Sequence, residues 1–257
     1  MAKKQKTRSP LREMPLHYPG QSVQEEMDKL YDIALNYAIY IIGVLLLVFV
    51  AWEQRLMKVS IEPVFTTLIA LLIIGYCIYK IAHIRRKYLL LAMGRDGEKI
   101  VGQELELLRE KGYAVFHDIK GENFNIDHVI IAPQGLFVVE TKTYSKPLES
   151  NAKVVYDGRK VLVNGYEPDR DPIKQVTANA NWLRDVIKNS TGLNIPVRGA
   201  IVFPGWYVDS TSAKGSPVWV LNPKGLGTFI GNEPVRLKDT EAHMIAYHLS
   251  KYIRLPS

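Results

Sequence analysis

Cysteine is almost missing from this chain, because Cys77 is the single such residue among 257. One thiol cannot form an intramolecular disulfide, so the disulfide frameworks that hold many small secreted domains together are excluded. A chain without such crosslinks suits a reducing compartment. We therefore expect its globular part to lie in the cytoplasm.

Charge is missing from two long stretches of the sequence. Residues 33–52 hold no charged side chain, and residues 64–84 hold one, Lys80, close to their end. An α-helix rises about 1.5 Å per residue, so a stretch of about 20 residues can cross a hydrocarbon layer ~30 Å thick. Buried helices of a soluble core are the alternative. The length of both stretches favours two membrane-spanning helices that anchor the protein to lipid.

The basic residues around these stretches predict how the protein is oriented. Residues 1–24 carry five Lys or Arg side chains, and more follow the second stretch, whereas the short link between the stretches carries only Arg55 and Lys58. Since Lys and Arg favour the cytoplasmic side, both termini are predicted in the cytoplasm. The membrane is expected to be the inner membrane of a prokaryote. Because residues 1–24 are polar and proline-containing, we also expect them to be unstructured.

Three segments follow from this pattern. They are a basic cytoplasmic arm at 1–30, a transmembrane helical hairpin at 31–88 and a cytoplasmic globular domain at 90–257. The domain is predicted to open with an amphipathic helix at 94–112, in which Glu98 heads an apolar stripe. A second helix is predicted to start at Asp171-Pro172, because aspartate suits the N-cap and proline the first turn.

Residues 125–144, with the sequence NIDHVIIAPQGLFVVETKTY, form the most informative stretch of the domain. Two apolar runs flank a Pro-Gln-Gly turn, and this pattern predicts a β-hairpin. In a tight turn Ala132 pairs with Gly135, and Asp127 then lies opposite Glu140. A bulge at Gly135 would shift the register by one residue and leave only approximate proximity.

This hairpin is expected to bring two carboxylates and one ammonium group together. Glu140 and Lys142 are two residues apart and therefore lie on one face of the strand. The carboxylates of Asp127 and Glu140 repel each other unless a cation lies between them, and hard oxygen ligands suit Mg²⁺. A cross-strand salt bridge on a solvated face is the alternative. The apolar neighbours argue against it, because a charge in a buried hairpin is costly.

Three sequence blocks resemble a nuclease family, and they occur in the order GRDGE at 94–98, the hairpin at 125–144 and DPIKQ at 171–175. Asp127 with Glu140-Thr141-Lys142 is similar to the D…(D/E)xK motif of the restriction-endonuclease-like superfamily, also written PD-(D/E)xK. More narrowly, residues 93–225 resemble the nuclease-related domain family, NERD. The resemblance implies an α/β fold with a mixed sheet flanked by helices, here preceded by the two-helix membrane hairpin.

The resemblance also implies a metal-dependent active site. The implied ligands of Mg²⁺ or Mn²⁺ are Asp127, Glu140, the carbonyl of Thr141 and Glu98. Lys142 would position the attacking water, and Gln175 would orient water or phosphate. Two of these roles have structural alternatives: Glu98 would simply complement the positive end of its helix, and Gln175 would bond locally at a helix start.

The leading hypothesis is therefore a membrane-anchored, metal-dependent nuclease at the cytoplasmic face. It would hydrolyse phosphodiester bonds of nucleic acid, with DNA favoured over RNA, during DNA processing. A net charge of +7 permits nucleic-acid binding, although basic residues beside a membrane supply part of it. The alternatives are a non-catalytic binding or signalling module on a nuclease fold, and a structural membrane protein whose hairpin does the main work.

Overall fold

The computed structural model describes residues 15–56, 63–122, 124–147 and 152–254. Contacts divide these residues into two compact units. One is Ser22–Arg95, and the other combines the described residues up to Gln21 with those from Asp96 onward. The predicted arm before residue 15 and most of the link between the apolar stretches lie outside the described residues.

Two long helices account for the first unit. They are α1 (Gln21–Leu56) and α2 (Pro63–Glu110), the second of which continues beyond the unit. Each contains an 18-residue stretch that is long and apolar enough to cross a membrane. In α1 none of this stretch is buried within the protein, and in α2 11% of it is buried. A core helix of a soluble protein would bury such a stretch, so both helices are candidate membrane spans. They pack as a hairpin, with the rings of Tyr37 and Tyr76 6.4 Å apart.

Helix α2 is longer than the sequence pattern predicts. The second apolar stretch and the helix expected at 94–112 are a single uninterrupted helix. Residues 85–93 contain neither proline nor glycine, so nothing in the sequence stops the first helix before the second begins. The prediction of an unstructured arm is also wrong at its end, because α1 already begins at Gln21.

The second unit is built on β-sheet. In chain order its strands are β1 (Ala114–Lys120), β2 (Asn125–Ala132), β3 (Gly135–Thr141), β4 (Lys153–Tyr156), β5 (Val161–Val163), β6 (Val197–Val202), β7 (Tyr207–Asp209) and β8 (Val218–Leu221). Its remaining helices are α3 (Pro172–Thr191), α4 (Leu226–Gly231) and α5 (Asp239–Ile253).

The described strands form a five-stranded mixed sheet in the order β1-β2-β3-β6-β8. Strands β1, β2 and β3 are antiparallel, whereas β6 runs parallel to β3 and β8 runs parallel to β6. Ala132 pairs with Gly135, so the turn is tight and the register without a bulge is confirmed. A smaller sheet follows the order β5-β4-β7.

Helices cover both faces of the main sheet. On one face, Leu183 of α3 and Leu249 of α5 belong to a buried cluster with Val129. On the other face, Leu105 of α2 and Leu226 of α4 belong to a second cluster. This arrangement confirms the expected α/β fold, a mixed sheet flanked by helices and preceded by two long apolar helices.

The predicted start of α3 is confirmed by the structure. Asp171 caps α3 as predicted, because its Oδ1 accepts hydrogen bonds from the backbone N–H groups of Ile173 and Lys174 at 2.9 and 3.3 Å. Strand β7 and helix α4 were not predicted. Each is only three to six residues long, which is too short to show a clear periodicity.

Candidate active site

Asp127 and Glu140 are carboxylates buried within the main sheet. They lie on β2 and β3, and their side chains are 9% and 3% exposed. Asp127 Oδ2 accepts a hydrogen bond from the Thr141 backbone N–H at 2.7 Å. Burial raises the pKa of Asp127 well above its ordinary value, and repulsion from Glu140 and Glu98 adds to the increase. The Asp127 carboxylate therefore lies where a negative charge is poorly compensated.

Glu140, Lys142 and Gln175 form a closed triangle of hydrogen bonds. Glu140 Oε1 accepts from Lys142 Nζ at 2.8 Å and from Gln175 Nε2 at 2.6 Å. Lys142 Nζ also donates to Gln175 Oε1 at 2.9 Å. Burial raises the pKa of Glu140, and the two donors partly oppose this increase. The first turn of α3 thus carries Gln175 to the end of β3, beside Glu140 and the following Lys142.

Glu98 lies on α2 and is also buried, with 7% of its surface exposed. Burial raises its pKa to about 7, and repulsion from Asp118 and Glu140 adds to the increase. The backbone N–H of Gly20 donates a hydrogen bond to this carboxyl group. Its Oε2 atom, however, has no hydrogen-bond partner among the described residues. Such an orphaned buried oxygen is unusual in a folded protein.

The close approach of Thr143, just after β3, to α2 depends on a glycine. A Cβ on Gly97 would lie 1.9 Å from Thr143 Oγ1, so any other residue there would force the Thr143 side chain to shift. Thr143 Oγ1 is itself buried without a hydrogen-bond partner among the described residues. Two polar oxygens without partners therefore belong to neighbouring parts of α2 and the chain after β3.

Two polar residues of the site were not predicted. Asp118 on β1 is completely buried and accepts a hydrogen bond from Asn125 Nδ2 at 2.5 Å. Asn179 on α3 donates to Glu140 Oε2 at 3.5 Å. Signals for both exist in the sequence: Asp118 interrupts an apolar strand, as Asp127 does, and Asn179 follows Gln175 by one helical turn.

Residues 15–20, which we call the pre-helix segment, contact the same region. His17 Nδ1 lies 2.6 Å from the backbone oxygen of Asp118, and Gly20 bonds to Glu98. The Pro19 ring lies against α2 where Gly102 has no side chain, since a Cβ there would be 2.4 Å from Pro19 Cγ. The segment was expected to be unstructured, but these contacts tie it to Asp118 and Glu98.

The donor chemistry of this region fits a divalent cation. Glu98, Asp127 and Glu140 are buried carboxylates, and burial raises the pKa of each. Repulsion from neighbouring carboxylates adds to the increase for Glu98 and Asp127. Hard oxygen ligands of this kind suit Mg²⁺ or Mn²⁺. The Oε2 atom of Glu98 has no hydrogen-bond partner among the described residues, so it is one oxygen that could coordinate such an ion. Among the described residues, no three acidic, histidine or cysteine side chains converge as a ready metal-ligand set.

The comparisons with known proteins agree with the sequence motifs. Residues 93–204 match the family model of the nuclease-related domain. The chain contains a nuclease-related domain. The family match ends at residue 204, about 20 residues before the end that the sequence resemblance suggested, yet it includes all six predicted site residues.

Part of the chain is similar to a curated protein of Bacillus anthracis, itself an uncharacterized protein. The two are 45% identical over 56 residues, which is 20% of this chain and 26% of the relative. The chain thus spans about a quarter of that protein's length. No solved structure matches the chain significantly. The assignment of a nuclease-related domain therefore rests on the family match at residues 93–204.

Proposed function

We propose that this protein is a membrane-anchored nuclease that uses Mg²⁺ or Mn²⁺ to hydrolyse phosphodiester bonds of nucleic acid, with DNA favoured over RNA. The observation that carries the proposal is the pair of buried carboxylates of Asp127 and Glu140, with the partly buried Lys142 and Gln175 bonded to Glu140, on a nuclease-related domain. Burying such groups costs stability. A catalytic requirement for them would explain why they are present.

The proposed metal ligands are the carboxylates of Glu98, Asp127 and Glu140 together with the carbonyl oxygen of Thr141. A bound divalent cation would act as a Lewis acid towards the scissile phosphate and would favour deprotonation of the attacking water. It would also offset the repulsion among the buried carboxylates. Such an ion would be coordinated by Oε2 of Glu98, the oxygen without a hydrogen-bond partner among the described residues.

Lys142 is the proposed positioning group for the attacking water. An ammonium group has three N–H donors and no acceptor. Two of these donors are directed to Glu140 Oε1 and Gln175 Oε1, and the Lys142 side chain is 20% exposed. The third donor is therefore available to a water molecule or a phosphate oxygen at the surface. Gln175 keeps Lys142 and Glu140 in this arrangement by bonding to both.

The helical hairpin is the proposed anchor to membrane lipid. Both candidate spans are exposed along their apolar stretches, as a lipid-facing hairpin would be. We propose that the hairpin lies in the inner membrane of a prokaryote, with both ends in the cytoplasm. The nuclease-related domain would then meet its substrate at the cytoplasmic face.

The direct test measures cleavage by the full chain, purified in detergent with Mg²⁺ or Mn²⁺. Single-stranded, double-stranded and branched DNA and RNA are supplied as separate substrates. We expect cleavage by the wild type and a loss of at least about 100-fold for Asp127→Asn, Glu140→Gln and Lys142→Ala, because each removes an interaction that the reaction needs.

Asp185→Asn is the matched control for these variants. Asp185 is an exposed acidic residue on α3 that pairs only with Arg184 among the described residues. The Asp185→Asn variant should therefore cleave nucleic acid as the wild type does. Salt-sensitive nucleic-acid binding without turnover would instead support the non-catalytic module. If neither binding nor cleavage occurs with any substrate, the proposal is wrong.

A further inference from the structure

Two buried histidines lie behind the proposed active site. His117 on β1 and His128 on β2 are directly paired across the sheet. Their side chains are 5% and 0% exposed. The two Nδ1 atoms are 2.8 Å apart, and the rings meet edge to face at 88°. This distance requires a hydrogen bond between the rings, since two unprotonated or two protonated nitrogens would repel each other.

The Nε2 atom of each ring makes a further polar contact, and the two contacts lie on opposite sides of the histidine pair. His128 Nε2 lies 3.3 Å from Thr141 Oγ1 on β3. His117 Nε2 lies 3.5 Å from Oε1 of Glu106, an exposed residue of α2, and the two form a hydrogen bond. A continuous chain of polar contacts therefore joins Glu106 at the surface to Thr141.

The protein environment assigns a direction to these hydrogen bonds. Both rings are buried, which favours the neutral imidazole, and a neutral ring has one donor and one acceptor. A carboxylate only accepts, so His117 Nε2 donates to Glu106 and His117 Nδ1 accepts. His128 Nδ1 then donates to His117, and its Nε2 accepts from the hydroxyl of Thr141. Every ring nitrogen is satisfied in this arrangement.

Thr141 connects this chain to the proposed catalytic groups. Its backbone N–H donates to Asp127 Oδ2 at 2.7 Å, and it lies between Glu140 and Lys142 in the sequence. A change in the orientation of Thr141 would therefore move the hydrogen bond that holds Asp127. It would also move the Thr141 carbonyl, which is a proposed metal ligand.

We propose that His117 and His128 are positioning residues of the active site, which act by holding Thr141 and, through its N–H, the carboxylate of Asp127. The inference rests on the proposed metal-dependent function. The hydrogen-bond partners of metal ligands commonly contribute in this way, and their removal typically costs 10–100-fold in metal affinity or activity. Both rings are buried and out of reach of a substrate at the surface, so their effect passes through Thr141.

The first test compares Mn²⁺ affinity and thermal stability in the full chain in detergent. His128→Leu removes both hydrogen bonds of that ring, and Thr141→Val removes the one between the Thr141 hydroxyl and His128, each with little change in volume. We expect each to weaken Mn²⁺ binding by about 10–100-fold. Thr141→Ser keeps the hydroxyl and should restore most of the affinity that Thr141→Val loses. The double variant should bind no more weakly than His128→Leu alone, because both changes break the same chain.

Ile130→Val separates positioning from a general loss of stability. Ile130 is a buried neighbour on β2, and its truncation should lower the unfolding temperature without changing Mn²⁺ affinity. The proposal is overturned if His128→Leu and Thr141→Val lower only the unfolding temperature. It is equally overturned if their effects on affinity add in the double variant.

A second measurement does not depend on metal binding. In ¹⁵N and ¹H NMR spectra of the full chain, Thr141→Val should shift the ring nitrogens of His117 as well as those of His128. His128→Leu should shift the Thr141 amide proton, which reports its bond to Asp127, whereas Ile130→Val should leave it in place. A wild type that fails to bind Mn²⁺ would contradict the proposed function alone. An unmoved Thr141 amide in His128→Leu would refute the positioning role.

Discussion

Glu98, Asp127 and Glu140 are buried carboxylates contributed by three different elements, α2, β2 and β3. Each has a raised pKa because burial disfavours its charged form. A protein without a cation at this position must either protonate these groups or tolerate their repulsion. Stability and the proposed function therefore impose opposite demands on the same residues.

The pH dependence of stability follows from Glu98. Its pKa rises from 4.5 to about 7 on folding. The folded state is favoured while Glu98 is protonated in both states, below about pH 4.5, and this advantage is lost as the pH rises through about 7. The full difference is on the order of 3 kcal/mol. In EDTA, Glu98→Gln should therefore unfold at a higher temperature than wild type at about pH 8, and at a similar temperature at about pH 4.

This prediction is checked by thermal unfolding of the full chain across the pH range. Glutamine at 98 keeps a carbonyl oxygen that can accept from the Gly20 N–H, so the comparison isolates the charge. Glu104→Gln, on the same helix but outside the site, should not change the pH profile. A Glu98→Gln variant less stable than wild type at about pH 8 in EDTA would show that the carboxylate is not a source of instability.

At the scale of elements, the pre-helix segment is joined to α2 by a contact that only glycine permits. Pro19 lies where a Cβ on Gly102 would be, and the adjacent Gly20 bonds to Glu98. Pro19 has a rigid ring and cannot move aside as a flexible side chain would. The lack of a side chain at Gly102 thus allows the segment to reach the carboxylate of Glu98.

Gly102→Ala and Gly94→Ala test this contact as a matched pair. Glycine to alanine within a helix normally stabilises by about 0.5–1 kcal/mol. Gly94 should follow that rule, because no described atom beyond its chain neighbours and the adjacent backbone of its own helix lies within 4 Å of the position that a Cβ would occupy there. At Gly102 the methyl group displaces Pro19, and the overpacking should cost about 1–3 kcal/mol. Thermal unfolding should therefore shift upward for Gly94→Ala and downward for Gly102→Ala.

Mn²⁺ binding provides the functional half of the comparison. Displacing Pro19 should pull the Gly20 N–H away from Glu98, so Gly102→Ala should bind Mn²⁺ more weakly while Gly94→Ala binds as wild type does. Equal stabilisation by both alanines would mean that the pre-helix segment does not depend on the space at Gly102.

At the scale of the whole molecule, the placement of charge relative to the apolar helices matters most. Basic residues are frequent before the first candidate span and after the second, and the link carries only two. Two spans return the chain to the side on which it started. The distribution of Lys and Arg therefore predicts that the link faces outward and that the domain faces the cytoplasm.

Single cysteines introduced into a Cys77→Ala background test this orientation. Ser60→Cys in the link should react with a membrane-impermeant maleimide in intact bacterial spheroplasts. Ser212→Cys, at an exposed position of the domain, should react only after the membrane is permeabilised. Labelling of both positions without permeabilisation, or the opposite pattern, would contradict the predicted topology.

Much of this architecture could be predicted from the sequence because its signals are local. The charge-free stretches, the turn between β2 and β3 and the Asp171 cap each depend on residues close together in the chain. The alternation of side chains in a tight hairpin was enough to predict that Asp127 and Glu140 are neighbours. Gln175 required the family resemblance, since nothing local connects α3 with β3.

The remaining features depend on contacts between distant parts of the chain, and only the tertiary structure decided them. His17 meets Asp118 across 101 positions, and the hydrogen bond between Asn179 and Glu140 spans 39. The pairing of His117 with His128 arises because β1 and β2 are adjacent in the sheet. A local sequence pattern specifies which face a side chain occupies, whereas packing determines what that side chain meets. The sequence thus determined the helical hairpin, the central β-hairpin and its carboxylates, and the fold determined their surroundings.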